Sequence, residues 1–167
     1  PIFLLINLLT DCAPAISFSM EQAEKSVMKK KGFDGLRKIL NVKSLINLAV
    51  QGVLIALISL VSYIIGQFTS AEVGTSMAFI TLGIAQLFHC YNSKLDGTVF
   101  TKEVFSNRFM NLSVFTTAFI MIFLVFTPVG FIFGLTMLKL WQFAVAFLLA
   151  ALIIPLSEAL KQIYKKI

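Results

Sequence analysis

Between Ser44 and Gly66 the chain runs without a single charged residue, and the stretches Thr75 to Tyr91 and Phe109 to Thr127 repeat that pattern. A bilayer core about 30 Å thick is crossed by about 20 helical residues rising about 1.5 Å each. The blocks are apolar throughout rather than alternating at a helical or strand period, which is how lipid-facing helices read. Composition agrees, with 58% of the 167 residues apolar and 13% charged, against about 25% charged in soluble domains. A water-soluble enzyme domain is thereby excluded. The expected fold is all-α, a polytopic transmembrane helical bundle of about five spans.

The first span runs from Pro1 to about Met20, and the next three are the blocks already named. Pro128 and Gly130 mark a turn after the fourth. Lys139 and Trp141 then announce a fifth helix reaching about Lys161, with Trp141 as an interfacial anchor. This divides the chain into an ion-binding helix at 1–20, a basic loop at 21–43 and a four-helix support bundle at 44–167. The chain opens at Pro1 inside an apolar run, with no basic stretch before it, and so reads as a piece of something longer.

Charge fixes an orientation. Thirteen of the 14 Lys and Arg residues fall in the loop from Met20 to Lys43, the loop from Asn92 to Arg108, or the tail, and only Lys139 falls on the opposite side. The positive-inside rule places the basic loops and the C-terminus in the cytoplasm and Pro1 outside. The same rule accounts for the net charge of +6 without nucleic acid, for which aromatic and basic residues would have to interleave. The run Lys29 to Lys31 is explained by topology, although such a cluster also attracts anionic head groups. Cys12 and Cys90 lie in separate apolar segments without a C-x-x-C or C-P-C grouping and read as packing residues.

Within the first span, Asn7, Thr10 and Asp11 share one face, because residues three and four apart stand one turn apart on the same side of a helix. A carboxylate at bilayer depth costs at least about 2.5 kcal/mol and needs a partner. An amide oxygen, a hydroxyl and a carboxylate are hard ligands that suit calcium, sodium or magnesium rather than copper or zinc. Three ligands do not complete a calcium shell of about six to eight oxygens, so other helices, carbonyls or water supply the rest. Pro14 breaks the hydrogen-bond ladder three residues on, and broken helices at bilayer depth recur at ion sites. The alternative is that Asp11 pairs with a basic group on another helix while Asn7 and Thr10 join helices together.

In the third span, Gln86 and His89 share a face by their three-residue spacing, and Gln86 offers one more neutral oxygen to a cation. An amide there equally serves as an interhelical hydrogen bonder, and a histidine near the interface is readily solvated. Ser157 and Glu158, near the end of the last span, are expected to reach water or a neighbouring basic loop.

The string from Ile6 to Ala15, containing Asn7, Thr10, Asp11, Cys12 and Pro14, with Met20-Glu21-Gln22-Ala23-Glu24 after it, resembles the sixth transmembrane helix and following loop of P-type cation-transporting ATPases. It is most similar to the calcium-pump branch, whose N-x-x-T-D motif falls here on Asn7, Thr10 and Asp11. The stretch from Gln86 to Lys94 resembles the eighth helix of plasma-membrane-type calcium pumps, and Leu156 to Lys161 the end of the tenth. The resemblance implies a bacterial plasma membrane, calcium as the transported ion, and ATP and magnesium bound by other parts of a parent pump whose remaining domains and helices are partners alongside the bilayer. It implies neither a catalytic nor a cofactor-binding residue in this chain, where no D-K-T-G occurs. It leaves Asn7, Thr10, Asp11 and, less specifically, Gln86 as cation ligands.

Two departures matter. Two-calcium pumps carry a glutamate where Gln86 stands, which suggests one calcium per cycle. Pro14-Ala15-Ile16-Ser17 with Glu21 to Glu24 is also similar to sodium-potassium pumps, which usually have an acidic residue where Asn7 stands. The rival class is a secondary carrier, a channel or a non-catalytic membrane scaffold.

Overall fold

The computed structural model describes residues 42–93 and 108–166, together with Leu4, Asn7 and Leu8. Five α-helices account for most of them: α1 (Val42–Gln67), α2 (Ala71–Ser93), α3 (Arg108–Phe126), α4 (Leu140–Ala151) and α5 (Ile153–Lys166). A 3-10 turn, Pro128–Phe133, joins α3 to α4. No strand occurs among the described residues. Among the described residues, four stretches are long and apolar enough to cross a membrane: Leu45–Gln67, Ala71–Tyr91, Arg108–Phe126 and Leu140–Leu160. They correspond to the second to fifth expected spans, and the chain is an all-α membrane bundle. The first span and its expected break at Pro14 lie outside the described residues, apart from exposed Leu4, Asn7 and Leu8.

The last span is a helix in two pieces. Pro155 has no N–H to give the carbonyl four residues back, at Ala151, and the ladder is interrupted where α4 ends. The chain stays helical through Leu152 (φ −61°, ψ −20°), whose N–H is shared between the Leu148 and Leu149 carbonyls at 3.2 Å each. One continuous helix was expected; the proline divides it into α4 and α5 without ending the crossing.

Glycines let the chain turn tightly at the opposite end of the bundle. A Cβ on Gly66 would stand 2.6 Å from Gly74 Cα, and one on Gly74 would stand 2.8 Å from the Tyr63 carbonyl oxygen. The start of α2 therefore lies backbone to backbone on the end of α1, closer than any side chain allows. After α3, the 3-10 turn ends at Gly134, whose φ of +78° is left-handed. Leu138 N–H then donates to the Val125 carbonyl at 2.9 Å, which folds the connection onto the last turn of α3.

The core gathers around α2, which touches all four other helices. Met77, Phe79, Ile80, Ala85 and Leu87 are buried there, together with Met121 and Val125 of α3 and Ala146 and Ala150 of α4. Phe126, Phe143, Phe147 and Phe88 form a chain of ring contacts, with centroids 5.2 to 6.1 Å apart, that runs from α3 through α4 to α2. The outer faces of α1 and α3 are apolar and exposed, as a lipid environment requires.

Candidate cation-binding site

Helix α2 holds Gln86, and hydrogen bonds fix where α2 stands. Thr81 Oγ1 lies 2.6 Å from Ser62 Oγ on α1 and 3.2 Å from the Ala146 carbonyl oxygen on α4, so one buried threonine ties three helices. One turn from the start of α2, Ser76 Oγ donates to the Glu72 carbonyl at 3.0 Å and accepts the Thr136 N–H at 2.8 Å. At the other end, Tyr91 Oη lies 3.0 Å from Asn111 Oδ1 at the start of α3. Inside a bilayer the undocked helices also find partners for such groups, so interhelical bonds of this kind are worth about 0.6 kcal/mol each on average.

Gln86 follows Thr81 by five residues, about 7.5 Å along the axis at 1.5 Å per residue. Its side chain is half-buried, and its Oε1 is buried with no hydrogen-bond partner among the described residues. A desolvated carbonyl oxygen without a donor carries the cost of a lost hydrogen bond, which an N–H, an O–H or a cation relieves. His89, three residues on, is half-buried and lies on the wall of an apolar cleft. Cys90 is half-buried and forms no disulfide among the described residues.

Of the four expected ligands, Asn7 is exposed, while Thr10 and Asp11 lie outside the described residues. No cluster of three His, Cys, Asp or Glu side chains occurs among the described residues. Between Glu72 near the start of α2 and Glu158 in α5 the described spans hold no carboxylate, so they offer a cation neutral oxygens alone. Any charge compensation has to come from elsewhere, and Asp11 is the carboxylate that the sequence places inside an apolar block.

Ser157 departs from the expectation that it reaches water or a basic loop. It is 1% exposed, facing the bundle interior, whereas Glu158 beside it is half-buried. Helix α5 packs on α1, α2 and α4, and this packing covers the position. Sequence reading also passed over Ser62 and Thr81. Hydroxyls in an otherwise apolar block were the available signal, but their pairing across helices depends on register, which a single sequence does not display.

The family described as "Cation transporting ATPase, C-terminus" matches residues 3–163. A calcium-transporting ATPase of Listeria monocytogenes is 35% identical over 108 residues, covering 64% of this chain and 12% of that protein. One of Bacillus subtilis is 29% identical over 128 residues, covering 75% and 14%. A Bacillus cereus protein, calcium-transporting ATPase 1, is 25% identical over 182 residues, covering 96% of this chain and 20% of its own length. The chain thus spans between about an eighth and a fifth of these relatives.

Proposed function

The chain belongs to the family of cation-transporting ATPase C-terminal domains, and from that premise we propose that it is the membrane support domain of an ATP-driven calcium pump that also supplies part of the ion site. Asn7, Thr10 and Asp11 give three hard oxygen ligands from the first span, and Gln86 adds a neutral fourth from α2. The observation that carries this reading is the buried, uncommitted Gln86 Oε1 on the helix that the rest of the bundle holds in place. The printed names of the relatives support calcium over sodium or potassium.

The bundle's contribution to the mechanism is positional. Hydrogen bonds from Thr81 and Ser76 hold α2 against α1, α4 and the connection before α4, so Gln86 stays fixed while other elements move. Asp11 supplies the charge that draws a cation out of water, and the amide and hydroxyl oxygens replace hydration. Energy from ATP, with magnesium, would enter through parts of a longer protein that contact the basic loop at 21–43. In this reading the basic ends and the C-terminus face the cytoplasm of a bacterial plasma membrane.

The test is calcium-dependent phosphoenzyme formation by the full-length protein, compared across calcium, sodium and potassium. Asp11→Asn is expected to abolish it. Gln86→Leu is expected to raise the calcium concentration needed about tenfold, because one of several neutral ligands is lost. Phosphorylation driven by sodium would move the protein to the sodium-potassium branch, and none with any ion would return it to the carrier or scaffold class.

A further inference from the structure

Two connections meet at the end of the bundle where α2 begins, and their compositions are opposite. Phe68 aside, the α1–α2 turn from Gln67 to Glu72 is polar or small, with Gln67, Thr69 and Glu72 exposed. The α3–α4 connection from Pro128 to Leu138 holds no charge, and Thr136 is its one polar side chain. Its outward positions are nevertheless large and apolar: Phe131 is 57% exposed, Ile132 75% and Met137 49%. A contiguous apolar surface of this kind marks contact with a partner or a membrane.

The level of the connection is fixed by what holds it. A Cβ on Gly130 would collide with the Leu124 carbonyl oxygen, two residues before α3 ends. Leu138 N–H donates to the Val125 carbonyl in the same turn. Thr136 N–H donates to Ser76 Oγ, five residues, about 7.5 Å along the axis, after α2 begins. The connection therefore doubles back beside the ends of the apolar spans Arg108–Phe126 and Ala71–Tyr91 instead of projecting past them.

Non-helical backbone survives at that level only where protein groups satisfy it. Beyond the two bonds just named, Gly134 N–H donates to the Phe131 carbonyl at 3.1 Å, Leu135 N–H to the Gly130 carbonyl at 3.0 Å and Lys139 N–H to Gln142 Oε1 at 2.8 Å. The Thr127 hydroxyl donates to the Phe123 carbonyl at 2.8 Å. The outward residues beside this segment on α3, Phe119 and Phe123, are apolar and exposed too, so its surface continues the face already turned to lipid. Exposed Lys139 and Trp141 follow where α4 begins, a pairing suited to the head-group level, with the lysine stem lying along apolar surface and its charge in water. We propose that the α3–α4 connection is inserted in the phospholipid leaflet at this end of the bundle, with Phe131 and Ile132 among acyl chains just beneath the head groups, while the α1–α2 turn meets water. The assignment is independent of which ion, if any, the chain binds.

The test uses the full-length protein in phosphatidylcholine nanodiscs, its native cysteines replaced, with a nitroxide label at Ile132→Cys or at Thr69→Cys. Relaxation of the label by oxygen, which concentrates in lipid, is compared with relaxation by a water-soluble nickel chelate. The ratio of oxygen to nickel accessibility is expected to be severalfold higher at position 132 than at position 69. A water-soluble maleimide is likewise expected to modify Thr69→Cys severalfold faster than Ile132→Cys. Should Ile132→Cys not fold, Phe131→Cys carries the same expectation. Equal ratios at the two positions would make the connection a water-exposed loop, and a label at 132 shielded from both reagents would mean that protein covers it; either result overturns the assignment.

Discussion

Helices α2 and α3 are both bilayer-length and cross the same bundle, but they meet opposite environments. Over its most apolar 18 residues α2 is 61% buried and α3 33%, although α3 is the more apolar of the two. In water that ordering would be inverted, since the more apolar element would be hidden. Lipid is as apolar as leucine, so hydrophobicity does not draw a helix inward, and packing and polar pairing decide instead. Helix α2 carries Thr81, Ser76 and the glycine that meets α1, and it occupies the centre. Helix α3 buries Met110, Val114, Thr117 and Met121 along one stripe and turns Phe109, Leu112, Phe115, Phe119 and Phe123 outward.

If that contrast is right, substitutions of similar size should differ sharply between the two helices. Gly74→Leu is expected to do the most damage, because its Cβ alone would sit 2.8 Å from the Tyr63 carbonyl oxygen and the α1–α2 hairpin would have to part. A loss of about 3 kcal/mol, the upper end for overpacking, should appear in denaturant unfolding from mixed micelles. Thr81→Val keeps the shape but removes the link to Ser62 and Ala146, and about 1.5 kcal/mol is expected by the same measurement. Phe119→Leu, on the outward face of α3, should change stability by less than about 0.5 kcal/mol. A loss above about 2 kcal/mol there would mean that protein rather than lipid covers this face.

The sequence alone carried the membrane class, the positions of four spans, and the Asp11 carboxylate within an apolar run. Those follow from two constraints with no tertiary content: backbone groups in lipid must be satisfied within the helix, and a charge at bilayer depth is costly. The family was legible for a similar reason, since the Asn7, Thr10 and Asp11 pattern is confined to five consecutive residues. Which face of α3 lies inward was not legible, because Phe and Met are alike to a hydropathy pattern and either side could have met lipid. The break at Leu152 was readable in principle from Pro155, whose missing N–H is a local fact. That Ser157 ends up in a buried wall, that Thr81 reaches two other helices, and that Gln86 keeps an uncommitted oxygen were decided only when the helices docked, because each depends on rotations and axial offsets between segments that no single segment encodes.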